Sequence, residues 1–275
     1  MAKWTDGIEL KIANILCYVM FLGSNGWPIV TPGQFDPYRG KDTYMTPAPW
    51  VYAIWPLIHL LLLGTNIYQF SPTGKRVVID EIGWRFPLLS VLSVVYANVR
   101  NTRHYTVAFV FALLVSSTVT HIYYVLTTRR ATYRVGDEVL VHLPFSLWHG
   151  WATFLLILSA FEAFGIHTYD PAGDWTKALV FIGLFFLEAH AATYASYTRE
   201  GDLPGAIAIT WSLWAVYDHQ IKWQSEFIHI SALVFAILSV FWVLVGTFKA
   251  ARRLHRRSGS VLPGGGAERA PLLGR

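Results

Sequence analysis

The chain has 275 residues, of which 54% are hydrophobic and only 14% are charged. A soluble domain carries about a quarter charged residues, so this composition excludes an ordinary soluble enzyme or binding domain. The net charge of +5 does not indicate a nucleic-acid partner, because much of the excess lies in one basic cluster near the C-terminus. Apolar runs of about 18 residues or more recur along the chain, long enough to cross a hydrocarbon core of roughly 30 Å.

Eight apolar segments are predicted to be membrane-spanning helices. Strict alternation of polar and apolar residues is absent, and backbone groups in lipid must bond internally, so helices are favoured over a closed barrel. The predicted fold class is therefore an all-α polytopic transmembrane bundle. The spans are residues 8–23, 50–68, 82–99, 106–127, 139–164, 175–197, 203–217 and 227–248. The third and seventh are marginal, and Arg85 falls inside the third.

Both termini are predicted to face the cytoplasm. With eight spans, the segments on the side of the termini hold most of the 22 Lys and Arg residues, which is the bias of cytoplasmic loops. The basic cluster after the last span attracts anionic headgroups, so membrane lipid is an expected partner. Its members are Lys249, Arg252, Arg253, Arg256 and Arg257. Residues 258–275 are rich in Gly, Pro and Arg and are predicted to be a disordered tail.

Tryptophan positions within the spans allow two interpretations. Trp148 and Trp151 are three residues apart in the fifth span, so they share one helix face. Such a face either packs against neighbouring helices or lines a flat cavity for a planar ligand. The residues alone leave both interpretations open. The single cysteine, Cys17, excludes an intramolecular disulfide and a cysteine-based zinc site.

Two motifs resemble the TspO/MBR family of tryptophan-rich sensory and translocator proteins. The run TPAPWVYAIWPLIH at residues 46–59 resembles the family's second-helix motif. The run LPFSLWHGWAT at residues 143–153 resembles its fifth-helix motif, and Asn98 is a weaker match in the third helix. The resemblance covers residues 8–165 and implies a five-helix membrane region over residues 1–165. Residues 166–257 would add three transmembrane helices.

The resemblance also implies a function. Members bind planar hydrophobic molecules, such as tetrapyrroles or sterols, between the second and fifth helices, and the loop 27–46 would be the lid. The protein would be a receptor or transport protein and not an enzyme, with a porphyrin as its ligand and no further cofactor or metal. A homodimer is left open. The residues expected to bind the ligand are Trp50, Trp55, His59, Asn98, Trp148, His149 and Trp151.

The chain departs from the family pattern at several of these positions. Pro56 replaces a glycine, His59 a tyrosine and His149 a leucine. Arg100 and Asn101 stand where the family has tryptophan.

Titratable residues deep in the spans suggest an alternative function. A charged group at such a depth is costly and usually marks a functional site. Glu188 and His190 of the sixth span would form an intramembrane proton or ion site of a coupled transporter. Their i, i+2 spacing points them about 160° apart, so other helices would have to complete the site. Each central histidine, including His59 and His149, equally suits a single interhelical hydrogen bond.

No catalytic site is predicted. Nucleophile elbows, Gly-rich phosphate loops and metal-ligand pairs are absent from the sequence. Haem ligation is disfavoured because no span carries a pair of central histidines. The acidic and histidine residues at the outer span ends are interpreted as solvated loop charges. They are Glu162, Asp170, Asp218 and His219.

Overall fold

The computed structural model describes residues 5–30, 40–129, 134–196, 201–220 and 225–259. Throughout these residues the regular structure is helical, which confirms the all-α fold class. The long helices are α1 (Ile8–Val30), α2 (Ile54–Tyr68), α3 (Arg85–Asn101), α4 (Tyr105–Arg129), α5 (Leu143–Phe164), α6 (Asp174–Ser196), α7 (Leu203–Gln220) and α8 (Glu226–Gly259). Residues 31–39 of the predicted lid and nearly all of the predicted tail lie outside the described residues.

Each predicted span corresponds to one of these helices. Five described segments are apolar enough and long enough to cross a membrane on length and composition alone. They are Pro49–Tyr68, Tyr105–Arg129, Val135–Phe164, Asp174–Ser196 and Glu226–Arg252. The marginal third and seventh spans are α3, with 17 residues, and α7, with 18 residues. They belong to the bundle through their packing against the other helices.

The third span begins later than its sequence predicts. A π-helical segment, Lys75–Ile82, ends at Gly83, whose φ of +61° favours glycine. Helix α3 then starts at Arg85, so this arginine lies at the helix start and not within the span. Its Nη1 donates hydrogen bonds to the carbonyl oxygens of Glu81 and Ile82, at 3.3 and 3.1 Å. The guanidinium thus satisfies carbonyl groups that the end of the π-helical segment leaves open.

The first five helices form a closed ring. Helix α1 contacts α2 and α3, α3 contacts α4, α4 contacts α5, and α5 contacts α2. Successive helices are antiparallel, so the ring has a terminal end, where α1 begins and α8 ends, and a loop end, where α2 begins and α5 ends. Helix α5 is the most buried of the five apolar spans, and its Trp148 and Trp151 side chains are fully buried.

The three added helices pack onto this ring through α7. Helix α7 contacts α5, α6 and α8, and α6 contacts α8. A Cβ atom added at Gly150 of α5 would lie 2.6 Å from the Gly205 carbonyl oxygen and 2.9 Å from Ala208 Cβ, both of α7. Small residues at a crossing let two helix backbones approach closely, which is the usual way that membrane helices associate.

This crossing generates the first prediction. Gly150→Leu should lower the free energy of unfolding by about 1–3 kcal/mol or more, because the new side chain collides with the α7 backbone. Gly23→Leu is the matched control, since no described residue lies within 4 Å of a Cβ at Gly23 of α1. Thermal unfolding in detergent, followed by intrinsic fluorescence, measures both variants. Equal midpoints would contradict the tight crossing.

Candidate functional site

A cavity lies inside the five-helix ring, towards its loop end. All five helices of the ring, together with the 3₁₀ turn Pro49–Ala53 before α2, contribute to its wall. The lining residues are Phe21, Ser24, Asn25, Tyr52, Trp55, Ser93, Tyr96, Ala97, Arg100, Asn101, Val115, Trp148 and Leu155. Its volume is about 50 Å³. Pockets for drug-sized ligands measure roughly 300–1,000 Å³, so the ring as it stands is closed.

Aromatic rings from three helices fill the rest of the interior. The Phe21 ring of α1 stacks on the Trp148 ring of α5, with centroids 5.0 Å apart and planes 8° from parallel. Trp55 of α2 meets Phe21 edge to face at 5.4 Å and Trp151 edge to face at 6.0 Å. Phe21, Trp148 and Trp151 are essentially fully buried. The stack of Phe21 on Trp148 has the separation and orientation of a ring bound in an aromatic slot.

Two buried indole groups in this interior lack acceptors. Neither Trp148 Nε1 nor Trp151 Nε1 has a hydrogen-bond partner among the described residues. A buried donor without a partner costs about 1–3 kcal/mol. Trp148 lines the cavity, so its N–H is a donor that a molecule entering the ring could reach. The sequence predicts the shared face of these tryptophans but not their unpaired N–H groups.

A buried ion pair closes the loop end of the cavity. Arg100 of α3 donates to Glu162 of α5 in a bidentate geometry, with Nη2–Oε1 at 2.6 Å and Nε–Oε2 at 2.8 Å. Arg100 Nη2 also donates to the Tyr52 hydroxyl at 3.2 Å. Only 7% of Arg100 and 2% of Glu162 are exposed. Gly40 packs directly on both side chains, and a Cβ there would collide with Glu162 Oε1.

The interpretation of Glu162 as a solvated loop charge is therefore wrong. Its carboxylate is buried because α3 brings Arg100 to it across the ring. The two residues are 62 positions apart, so no local pattern joins them. The sequence did hold a signal for this pair. Arg100 replaces a tryptophan of the resembled pattern, and Glu162 lies at the end of α5.

Three of the expected ligand-binding residues gather at the ring interior. Trp55 and Trp148 line the cavity, and Trp151 packs behind it against Trp55 and Tyr52. His59 is buried beside the cavity wall, where its Nε2 accepts from Asn25 Nδ2 at 3.1 Å. This histidine therefore positions a residue that lines the cavity.

The remaining three face elsewhere. Trp50 is 39% exposed and donates from Nε1 to Asp218 Oδ2 at 2.9 Å, at the loop end. Asn98 is exposed and its Nδ2 donates back to the Val94 carbonyl oxygen. His149 points away from the ring interior, towards α4 and α6, and its ring stacks on Tyr123.

Glu188 and His190 also have separate surroundings. Glu188 is buried, and its Oε1 accepts a hydrogen bond from Trp242 Nε1 of α8 at 2.5 Å. His190 lines a cleft between α4 and α6, and its Nδ1 donates a hydrogen bond to the Phe186 carbonyl oxygen at 2.8 Å. The structure keeps the Glu188 and His190 side chains apart. This separation agrees with their i, i+2 spacing, which points them in nearly opposite directions. Across the described residues, no cluster of three or more His, Cys, Asp or Glu side chains could hold a metal ion.

The described part of the first loop is anchored to the added helices. Asp42 accepts from His219 of α7 at 3.0 Å and from the Thr168 hydroxyl at 3.0 Å. Burial raises the pKa of the Asp42 carboxyl, but the hydrogen bonds from His219 and Thr168 outweigh burial and hold its pKa below the ordinary value. The Trp211 indole donates to the Val51 carbonyl oxygen at 2.8 Å. Helix α7 thus holds the segment that covers the ion pair.

Comparison with known proteins gives one match. A family model described as TSPO-like protein matches residues 11–245. The match covers all five helices of the ring and continues through α6, α7 and most of α8. No curated protein and no solved structure matches the chain significantly.

The buried ion pair supplies a second prediction. Glu162→Gln removes the carboxylate charge that faces the buried Arg100 guanidinium, which should lower the free energy of unfolding by about 3–5 kcal/mol. The double variant Arg100→Met with Glu162→Leu should recover most of that loss, because no buried charge is left unpaired. Thermal unfolding in detergent is measured for both. A double variant no more stable than Glu162→Gln would contradict this account of the pair.

The loop anchor supplies a third prediction, with a defined pH dependence. Because folding lowers the pKa of Asp42, its carboxylate stabilises the fold above its ordinary pKa, and this stability is lost as pH falls through the folded value. Asp42→Asn should therefore lower the unfolding temperature at pH 7, and the difference should narrow below about pH 4. Asp174→Asn is the control, since this fully exposed carboxylate has only a surface pair with Lys177. If the unfolding temperatures of the wild type and Asp42→Asn differed by the same amount at every pH, the stabilising role of the Asp42 carboxylate would be contradicted.

Proposed function

Since this chain belongs to the TSPO-like protein family, we propose that it is an integral membrane receptor or transport protein for a planar hydrophobic ligand, such as a tetrapyrrole or a sterol-like molecule. The ligand is bound inside the five-helix ring, between α2 and α5. The protein acts without a catalytic residue, metal or resident cofactor. Its chemistry is the reversible burial of a flat apolar molecule.

The observation that carries this proposal is the stack of Phe21 on Trp148. The two rings are nearly parallel, fully buried and flanked edge-on by Trp55. Phe21 therefore occupies the position that one ring of a planar ligand would take against the Trp148 face. The Trp148 N–H, which has no acceptor among the described residues, adds a donor for an acceptor atom on such a ligand.

Binding requires the ring to open. A cavity of about 50 Å³ holds no tetrapyrrole, so Phe21 must leave its stack. Helix α1 is the wall most suited to move, because Gly23 and Gly26, two and five residues after Phe21, have no described neighbour within 4 Å of the positions of their Cβ atoms. Arg100 lines the loop end of the cavity, so the polar edge of the ligand faces that end.

The separate surroundings of Glu188 and His190 favour this receptor over the alternative, a proton- or ion-coupled transporter built on that pair. Glu188 contacts α8 and His190 faces α4, and no described side chain bridges them.

We also propose that both termini face the cytoplasm. The basic residues that end α8, such as Arg252, belong to the terminal end of the bundle.

Titration with protoporphyrin IX tests the pocket. Porphyrin absorbance and emission are followed in detergent, because these signals do not depend on the protein's own tryptophans. Trp148→Leu should weaken binding about tenfold by removing the stacking face. Phe21→Leu should strengthen binding about tenfold, because the displaced side chain is smaller.

Trp84→Leu is the matched control, since Trp84 is 63% exposed and does not line the cavity. This variant should bind as the wild type does. Identical affinities for the Trp148, Phe21 and Trp84 variants would refute the ring as the binding site.

A further inference from the structure

A second, larger cavity lies outside the ring, between α4 and α6. It has a volume of about 460 Å³ and is lined by hydroxyl, phenol and imidazole side chains with a mainly apolar surface. His149 of α5 lies in its wall, together with Thr120, Tyr124 and Thr127 of α4 and His190 and Thr193 of α6. Tyr124 is 65% exposed on the outer surface of the bundle, so this α4–α6 cleft opens towards the lipid.

The hydrogen bonds around His149 determine its tautomer. The Thr120 hydroxyl donates to the Ser116 carbonyl oxygen at 2.6 Å, so towards His149 the same oxygen can only accept. His149 Nε2, at 3.0 Å from it, therefore carries a hydrogen. His149 Nδ1 is then the acceptor of a bond from the Tyr194 hydroxyl. Both nitrogens of this imidazole are satisfied, and neither is open to a ligand.

Thr127, Thr193 and His190 present lone pairs to the cleft. The hydroxyls of Thr127 and Thr193 donate to the Tyr123 and Ala189 carbonyl oxygens of their own helices, at 2.9 and 2.8 Å. His190 Nδ1 must carry a hydrogen, because its partner is the Phe186 carbonyl oxygen. In the neutral imidazole, His190 Nε2 is then an acceptor, and no described residue donates to it.

We propose that the α4–α6 cleft binds a lipid alcohol, whose hydroxyl donates a hydrogen bond to His190 Nε2. The volume suits the polar end of one lipid, and the opening towards the bilayer lets its chains remain in the membrane. The threonine oxygens accept any further hydrogen of the ligand. This site is separate from the ring cavity, and its existence does not depend on the ligand of the ring.

The lining argues against charged ligands. No Asp, Glu, Lys or Arg is among the described residues of the cleft wall, so neither an anionic headgroup nor an organic cation would find a counter-charge there. A neutral ester or ether could accept a hydrogen bond from the Tyr124 phenol in the wall, but it has no hydrogen to donate to His190 Nε2. An alcohol supplies that donor.

Photo-crosslinking of the full chain in lipid nanodiscs tests the proposal. Two diazirine probes are used, a diacylglycerol and a sterol. Each carries one hydroxyl, but the two belong to different classes of lipid. Labelled peptides are identified by mass spectrometry. We expect labelling of residues 120–128 and 190–194 by at least one probe, and the probe that labels them identifies the class of alcohol.

Unlabelled dioctanoylglycerol should compete with the diacylglycerol probe, and unlabelled sterol with the sterol probe. The corresponding acetate esters, which lack the hydroxyl donor, should not compete.

His190→Leu removes the acceptor and should reduce this labelling about tenfold. His121→Leu is the matched control, because His121 is an exposed histidine of α4 that does not line the cleft. If His190→Leu does not yield a monodisperse protein, the proposal is tested on the wild type, by comparing how well the unlabelled lipid alcohol and its acetate ester compete with the probe. Equal competition by alcohol and acetate, equal labelling of the two variants, or no labelling of these segments would overturn the proposal.

Discussion

Helix α5 holds the protein together because each of its faces has a different partner. Successive residues of a helix are about 100° apart, so Trp148, His149 and Gly150 point in three directions. Trp148 and Trp151 face the ring interior, His149 faces the α4–α6 cleft, and Gly150 touches the α7 backbone. Two residues before the end of α5, Glu162 pairs with Arg100. A shift of α5 would disturb the ring, the cleft and the added helices together.

Helix α7 also links the five-helix ring to the added helices. Helix α7 holds α5 through the Gly150 crossing and also holds the first loop through Asp42 and Val51. The segment over the Arg100–Glu162 pair therefore depends on helices that follow the ring in sequence. The match to residues 11–245 agrees with this dependence, because it includes α6, α7 and most of α8.

Sequence patterns predict the helices well and their partners poorly. Apolar length and charge asymmetry locate all eight helices, and the spacing of Trp148 and Trp151 predicts their common face, because both are local properties. The pairing of Arg100 with Glu162 joins residues 62 positions apart, and His149 meets His190 in one cleft only because α6 packs beside α4. The exposed position of Asn98 also depends on helix rotation, which apolar composition does not specify.

We propose that Phe21 occupies, in the closed ring, the position that one ring of a bound ligand would take against Trp148. An experimental structure of the protein with bound protoporphyrin tests it most directly. We expect Phe21 to leave its contact with Trp148 and a pyrrole ring to lie against the Trp148 face, at a stacking distance of about 3.5–4 Å. A porphyrin bound elsewhere, with the Phe21 and Trp148 centroids still 5.0 Å apart, would contradict it.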